Sequence, residues 1–139
     1  MSRRESREII MKLLYQLEIQ KDDRESQVEE ALSEYTLPDR ERKYIVGTIN
    51  GVFEHIEEID KTIESFSMGW PINRISKVDL AILRFATYEI KYNDEIPENI
   101  SINEAVELAK KYSGAESASF INGILGSVTK SKQLPVDKK

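Results

Sequence analysis

Apolar residues recur along this chain at steps of three and four, with charged and amide side chains between them. That spacing predicts amphipathic helices, and no apolar–polar alternation runs long enough to predict a strand. The first helix opens at Ser2, with Glu5 three residues later in the arrangement of a capping box. Its stripe is Ile10, Leu13, Leu14 and Leu17. Asp22-Asp23 marks a stop, and Val28, Ala31, Leu32 and Tyr35 define a second helix. Leu37-Pro38-Asp39 ends it and is expected to cap the third. There Ile45, Ile49, Val52, Ile56, Ile59, Ile63 and Phe66 follow steps of 4, 3, 4, 3, 4 and 3. The seam reads as one long central core helix rather than a dimeric coiled coil, because the neighbouring helices also need a partner.

Met68-Gly69-Trp70-Pro71 breaks that helix, with Trp70 expected to anchor a junction between helices. After Ile72 and Ile75 comes a helix carrying Val78, Ala81, Ile82, Phe85, Ala86 and Ile90, then a polar loop from Asn93 to Pro97. Ser101 with Glu104 predicts a second capping box, opening a helix through Tyr112 that stops at Ser113-Gly114. Phe120, Ile121, Ile124, Leu125 and Val128 mark the last helix, where Asn122-Gly123 suggests a close helix approach or a buried amide. The prediction is an all-α fold of about seven helices in a single domain over residues 1–130, with residues 131–139 a flexible tail.

Composition narrows the chemistry. The 139 residues include one His and no Cys, which removes disulfides, thiolate metal sites and thiol nucleophiles. No apolar run approaches the roughly 20 residues of a membrane span, and Met-Ser-Arg-Arg-Glu is no signal peptide, so the cytoplasm is the expected location. His55 lies beside the seam without a nucleophile in any recognisable motif; Glu57-Glu58 and Asp22-Asp23 read as a solvated face and a turn. Gly47 and Gly51 form no phosphate-binding fingerprint. No enzyme, cofactor or metal site is expected.

The net charge of −5 argues against nucleic acid until it is divided. Arg3, Arg4, Arg7 and Lys12 against Glu5 and Glu8 leave the N-terminus at +2 and the remainder at −7. Arg3, Arg4 and Arg7 are spaced to share one helix face, and arginine suits bidentate phosphate contacts and stacking on bases. An ordinary solvated start is the plainer alternative, but cations there oppose the helix dipole, a placement that calls for something to compensate.

Further along, the run from Trp70 to Ile90, Ile96-Pro97, the run from Ile102 to Tyr112, and Phe120-Ile121-Asn122-Gly123-Ile124-Leu125 stand in order. With Arg-Arg-x-x-Arg at the start and Leu14-Tyr15 after it, the chain from Arg3 to Val128 resembles the NusB transcription antitermination family. The resemblance implies two packed helical bundles. It also implies binding of the single-stranded boxA element of ribosomal RNA leader transcripts together with NusE, a small-ribosomal-subunit protein. That assembly would help RNA polymerase read through terminators. RNA contacts carried over by resemblance are Arg3, Arg4, Arg7, Tyr15, Tyr112 and Glu116; the partner face falls on Asp79, Leu80 and Leu83. Two departures stand out: Glu5 and Glu8 interrupt the arginines, and Asn73 occupies a place where some members carry an acid.

Single-stranded RNA is held by bases stacked on aromatic or guanidinium planes and by cations on phosphates. Tyr15 reads equally as a stacking platform or a partly buried core residue, and Tyr112 has the same two readings. Three or four phosphate contacts give a salt slope of only about −2 to −3, weak enough to call for a partner. The acidic remainder suits a basic one. The alternatives are a helical protein-interaction module and an RNA-targeting domain without antitermination activity.

Overall fold

The computed structural model describes residues 2–133, which form seven α-helices and a short 3-10 turn, with no strand among the described residues. The helices are α1 (Arg3–Ile19), α2 (Arg24–Leu32), α3 (Asp39–Glu54), α4 (Ile56–Phe66), α5 (Lys77–Tyr92), α6 (Glu98–Tyr112) and α7 (Ala115–Gln133); the 3-10 turn is Ile72–Arg74. Residues 131–133 continue α7, and the rest of the expected tail lies outside the described residues.

The first three helices form one bundle and the last four another, and α5 joins them by packing against α1 and α3 as well as α4, α6 and α7. Its sequence explains that position. Leu80, Ala81, Ile82, Leu83, Phe85, Ala86 and Ile90 are buried around the whole circumference, as in a helix with no solvent face. The centre of the core is therefore α5, not the seam between Ile45 and Phe66.

That seam is also divided. His55 leaves helical geometry at φ −112° and ψ 20°, separating α3 from α4. The apolar row nevertheless continues, because His55 N–H donates to the Gly51 carbonyl and Ile59 N–H to the His55 carbonyl. Ile45, Ile49, Val52, Ile59 and Ile63 are all fully buried across the bend. Side-chain periodicity reports which face is buried; it is blind to a one-residue kink that preserves the face.

The cap at Ser2 forms as predicted: its hydroxyl accepts the Glu5 N–H at 3.1 Å, and Glu5 accepts the Ser2 N–H at 2.7 Å. Two others differ. Asp39 lies inside the first turn of α3, whose N-cap is Pro38. Glu98 starts α6 a turn ahead of Ser101, which is buried within the helix and donates its hydroxyl to Glu89 at 2.9 Å. Trp70 is 52% exposed rather than an anchor, following a turn in which Met68 and Gly69 take φ of 56° and 90°. Asn122 and Gly123 are exposed. The close approach falls at Gly51 instead, where a Cβ would collide with the ring of Tyr88.

Beneath the start of α1 lies a buried polar cluster. Glu89 accepts from Ser101 and from the Tyr44 hydroxyl. Burial raises the Glu89 carboxyl, outweighing those two hydrogen bonds and the nearby charges of Arg7 and Arg3. Burial and the Glu89 charge raise Tyr44 as well.

Two outcomes follow from this packing. A Cβ at Gly47 meets nothing within 4 Å, so Gly47→Ala should add about 0.5–1 kcal/mol through helix propensity. Gly51→Ala must displace the Tyr88 ring, a cost of about 1–3 kcal/mol that cancels or exceeds the same gain. Thermal melts should show the first variant above the parent and the second below it. Glu89 supplies the pH dependence. A carboxyl raised on folding favours the fold at low pH, and that contribution is lost as pH rises from the ordinary value of 4.5 through the folded-state value. Glu18 and Glu41 are held low, Glu18 because Arg84 outweighs its burial and Glu41 chiefly by the Arg3 hydrogen bond, so they act below that window. Melting temperatures measured upward from pH 4.5 should fall in the parent and flatten in Glu89→Gln.

Candidate nucleic-acid interface

The three arginines of α1 do not share a face. Arg3 turns toward α3, where Nε and Nη2 donate to the Glu41 carboxylate at 3.0 and 3.3 Å. Its guanidinium carbon lies 3.7 Å from the centroid of the Tyr44 ring, a cation–π stack. Ser6 donates to the same carboxylate at 2.8 Å, fixing it against α1. Arg4 turns the other way, toward α6, and meets both oxygens of Glu104 at 3.1 and 2.7 Å. These hydrogen bonds hold Glu41 and Glu104 below the ordinary carboxylate range. Arg7 points inward: it is 6% exposed, 5.9 Å from the Tyr44 ring, and its Nε has no hydrogen-bond partner. Its positive charge lies beside the buried Glu89.

Further along α1, Lys111 of α6 pairs with Glu8 at 2.5 Å. The half-buried ring of Tyr112 lies near two ammonium groups, Lys12 at 5.5 Å and Lys111 at 5.4 Å. Tyr15 follows Lys12 by three residues on the same side of α1 and is 38% exposed, on the surface rather than in the core. The α1–α6 edge thus carries exposed cations interleaved with two tyrosines, the composition of a single-strand platform.

Asp79 and Glu116 meet at a second place. Asp79 is in the first turn of α5, where the Ser76 hydroxyl accepts its N–H and the helix dipole favours its charge. Its two oxygens accept hydroxyl protons from Ser113 and Ser117, each at 2.8 Å. Beside it opens a cleft of about 260 Å³, lined by Trp70, Arg74, Asp79, Glu116 and Phe120. Glu116 is exposed at its edge. Two aromatic rings, a guanidinium and the exposed Glu116 carboxylate are the stacking faces, donors and acceptors that a nucleobase uses. Leu80 and Leu83, expected at a partner face, are fully buried in the core beneath Asp79.

Trp70, Arg74 and Phe120 are the cleft residues that reasoning from sequence missed. Phe120 was absorbed into the apolar stripe of α7. Trp70 carried a signal in standing between Gly69 and Pro71, outside any helical register. Among the described residues no cluster of His, Asp and Glu is arranged to hold a metal, and no helix is long and apolar enough to cross a membrane.

The chain is similar to known proteins over nearly its whole length. The family model for NusB matches residues 4–130. A transcription antitermination protein NusB of Acetivibrio thermocellus is 61% identical over 99% of this chain and 94% of its own, and one of Ruminiclostridium cellulolyticum is 53% identical over 94% and 90%. Among solved structures, T. maritima NusB superposes with a TM-score of 0.87 at 37% identity, covering 94% of this chain and 92% of that one. A crystal structure of antitermination factors NusB and NusE in complex with double-stranded RNA contains a chain of the same fold, with a TM-score of 0.84 at 24% identity and coverage of 93% and 96%. Two bundles joined through α5, together with this agreement along the sequence, establish that the chain belongs to the NusB family of transcription antitermination proteins, not to a family of enzymes.

Proposed function

We propose that this protein binds boxA-type single-stranded RNA of ribosomal RNA leader transcripts together with NusE, and that the assembly promotes read-through by RNA polymerase. The observation that carries the reading is the pairing of an aromatic, carboxylate-edged cleft with a cation-and-tyrosine edge on a chain of this family. A fold shared with a NusB crystallised with NusE and double-stranded RNA supports the RNA and NusE parts of the reading; the single-stranded form rests on the stacking faces described above. Action on nascent transcripts assigns the protein to the cytoplasm.

In this reading Arg3 and Arg4 exchange their carboxylates for phosphates, and Tyr15 and Tyr112 offer rings to splayed bases. Glu116 accepts from base N–H groups in the cleft lined by Trp70 and Phe120. Arg7 supports this surface from below, holding the buried cluster under Arg3. The partner face is the exposed edge around Asp79, with Leu80 and Leu83 as its rigid underlayer. A remainder at −7 attracts a basic ribosomal protein.

A protein-interaction module without RNA binding is the second reading. It is favoured by one observation: Arg3 and Arg4 are already satisfied by carboxylates.

Electrophoretic shift with a boxA-like RNA, with and without NusE, decides between them. Arg3→Ala/Arg4→Ala should weaken ternary binding about tenfold or more and reduce the salt slope by about 1.4, the value for two phosphates. Trp70→Ala should cost about 1–3 kcal/mol of binding, as for one stacked base. Unchanged ternary binding after Arg3, Arg4 and Arg7 all become Ala, or equal affinity for scrambled RNA, would overturn the sequence-specific RNA reading.

A further inference from the structure

A second groove on the far side of Arg3 has no role in the assembly just described. It runs between α3 and the loop joining α5 to α6, encloses about 460 Å³, and is lined by Arg3, Arg40, Lys43, Tyr44, Gly47 and Tyr88. Three cations face one lining carboxylate, Glu95. Arg40 and Lys43 are exposed and form no ion pair among the described residues, whereas Arg3, Arg4, Arg42 and Lys111 each have a carboxylate partner. On an acidic protein, two adjacent free cations in a concave surface are a local attraction for anions.

The walls suit bases rather than isolated phosphate. Tyr44 sends its hydroxyl inward to Glu89, so its ring takes the Arg3 guanidinium on one face. Gly47 adds no side chain to the groove, and the space a Cβ would occupy is empty. Past it, Tyr88 tilts against Tyr92 at 5.8 Å between ring centroids, and His55 stacks on Tyr92 at 4.0 Å and 11°. A cationic mouth thus opens onto two lining rings, Tyr44 and Tyr88, with the Tyr92–His55 stack adjoining Tyr88 outside the lining, the combination that binds single strands without reading their sequence.

We propose that this groove binds the single-stranded RNA flanking the boxA-type element, so that the strand continues past Arg3 along α3. The proposal rests on the RNA reading above and adds a sequence-independent extension to it. An acidic peptide would satisfy Arg40 and Lys43 but would leave the rings and the open floor unused.

The test is fluorescence anisotropy on the full chain with NusE. It compares a core boxA-like RNA with the same RNA extended at either end by an oligouridine flank of about ten nucleotides. A flank on the correct end should tighten binding about tenfold and steepen the salt slope by about 1.4, the value for two added phosphates. Arg40→Ala/Lys43→Ala should abolish that gain and leave core affinity unchanged. Gly47→Glu, which places a carboxylate in open space, should do the same without disturbing packing. The proposal is overturned if neither flank adds affinity, or if both variants keep the gain while the core RNA binds normally. Binding of a polyglutamate peptide that both variants abolish would also overturn it, assigning the groove to a protein. Failure of the core RNA to bind would overturn the reading beneath it and is seen separately, in the titration without a flank.

Discussion

Arg84 is the interaction around which the two bundles are set. It is nearly fully buried in α5, and a buried guanidinium is tolerated only with its donors satisfied and its charge matched. Asp60 of α4 takes Nε and Nη2 at 2.9 and 2.8 Å, and Glu18 of α1 takes Nη1 at 2.7 Å. One side chain therefore ties a helix of the first bundle to two of the second. An apolar core alone permits α5 to slide or rotate against α1 at modest cost. A shift of one residue here would leave Arg84 and Asp60 unpaired, at about 3–5 kcal/mol for a broken buried pair, while Glu18 keeps Lys21. The register of α5 sets where Asp79 meets Ser113 and Ser117 at one end, and where Glu89 receives Ser101 and Tyr44 further along. Both candidate surfaces are thus built outward from a helix whose position is fixed electrostatically.

The helices were legible from the spacing of Ile10, Leu13, Leu14 and Leu17, or of Val78, Ala81, Ile82 and Phe85, because burial of one face is what periodicity encodes. Their relations were not. The central place of α5 depends on which faces meet in space, and the seam from Ile45 to Phe66 is the longer pattern without being the middle of the core. Ser101 and Glu104 match a cap at the level of spacing, yet Pro97 opens the helix a turn earlier and frees both side chains for tertiary partners.

The candidate surfaces were legible by residue type and less so by arrangement. Sequence identified the arginines of α1; only coordinates show that Arg3 and Arg4 diverge and that Arg7 lies beneath them. Asp79 and Glu116 are far apart in the chain, and the resemblance assigned them to different partners, but they border one cleft. Leu80 and Leu83 neighbour Asp79 in sequence, and Leu83 lies one turn along the same face, yet both are covered because α5 is buried on every side. Trp70 stands outside the helices, where no periodic argument reaches. Gly51 looked like an ordinary helix interior, because its reason is a ring on another helix.

The pairing of Arg3 with Glu41, Arg4 with Glu104 and Lys111 with Glu8 gives this surface a built-in competitor. A polyanion that merely drifts past must displace a tethered carboxylate at each of these three cations and gains little by the exchange. A strand that also fills the Trp70–Phe120 cleft adds binding energy from groups that carry no such tether. In the RNA reading proposed above, occupancy would thus be governed by shape before charge, a bias against strands that offer phosphates alone.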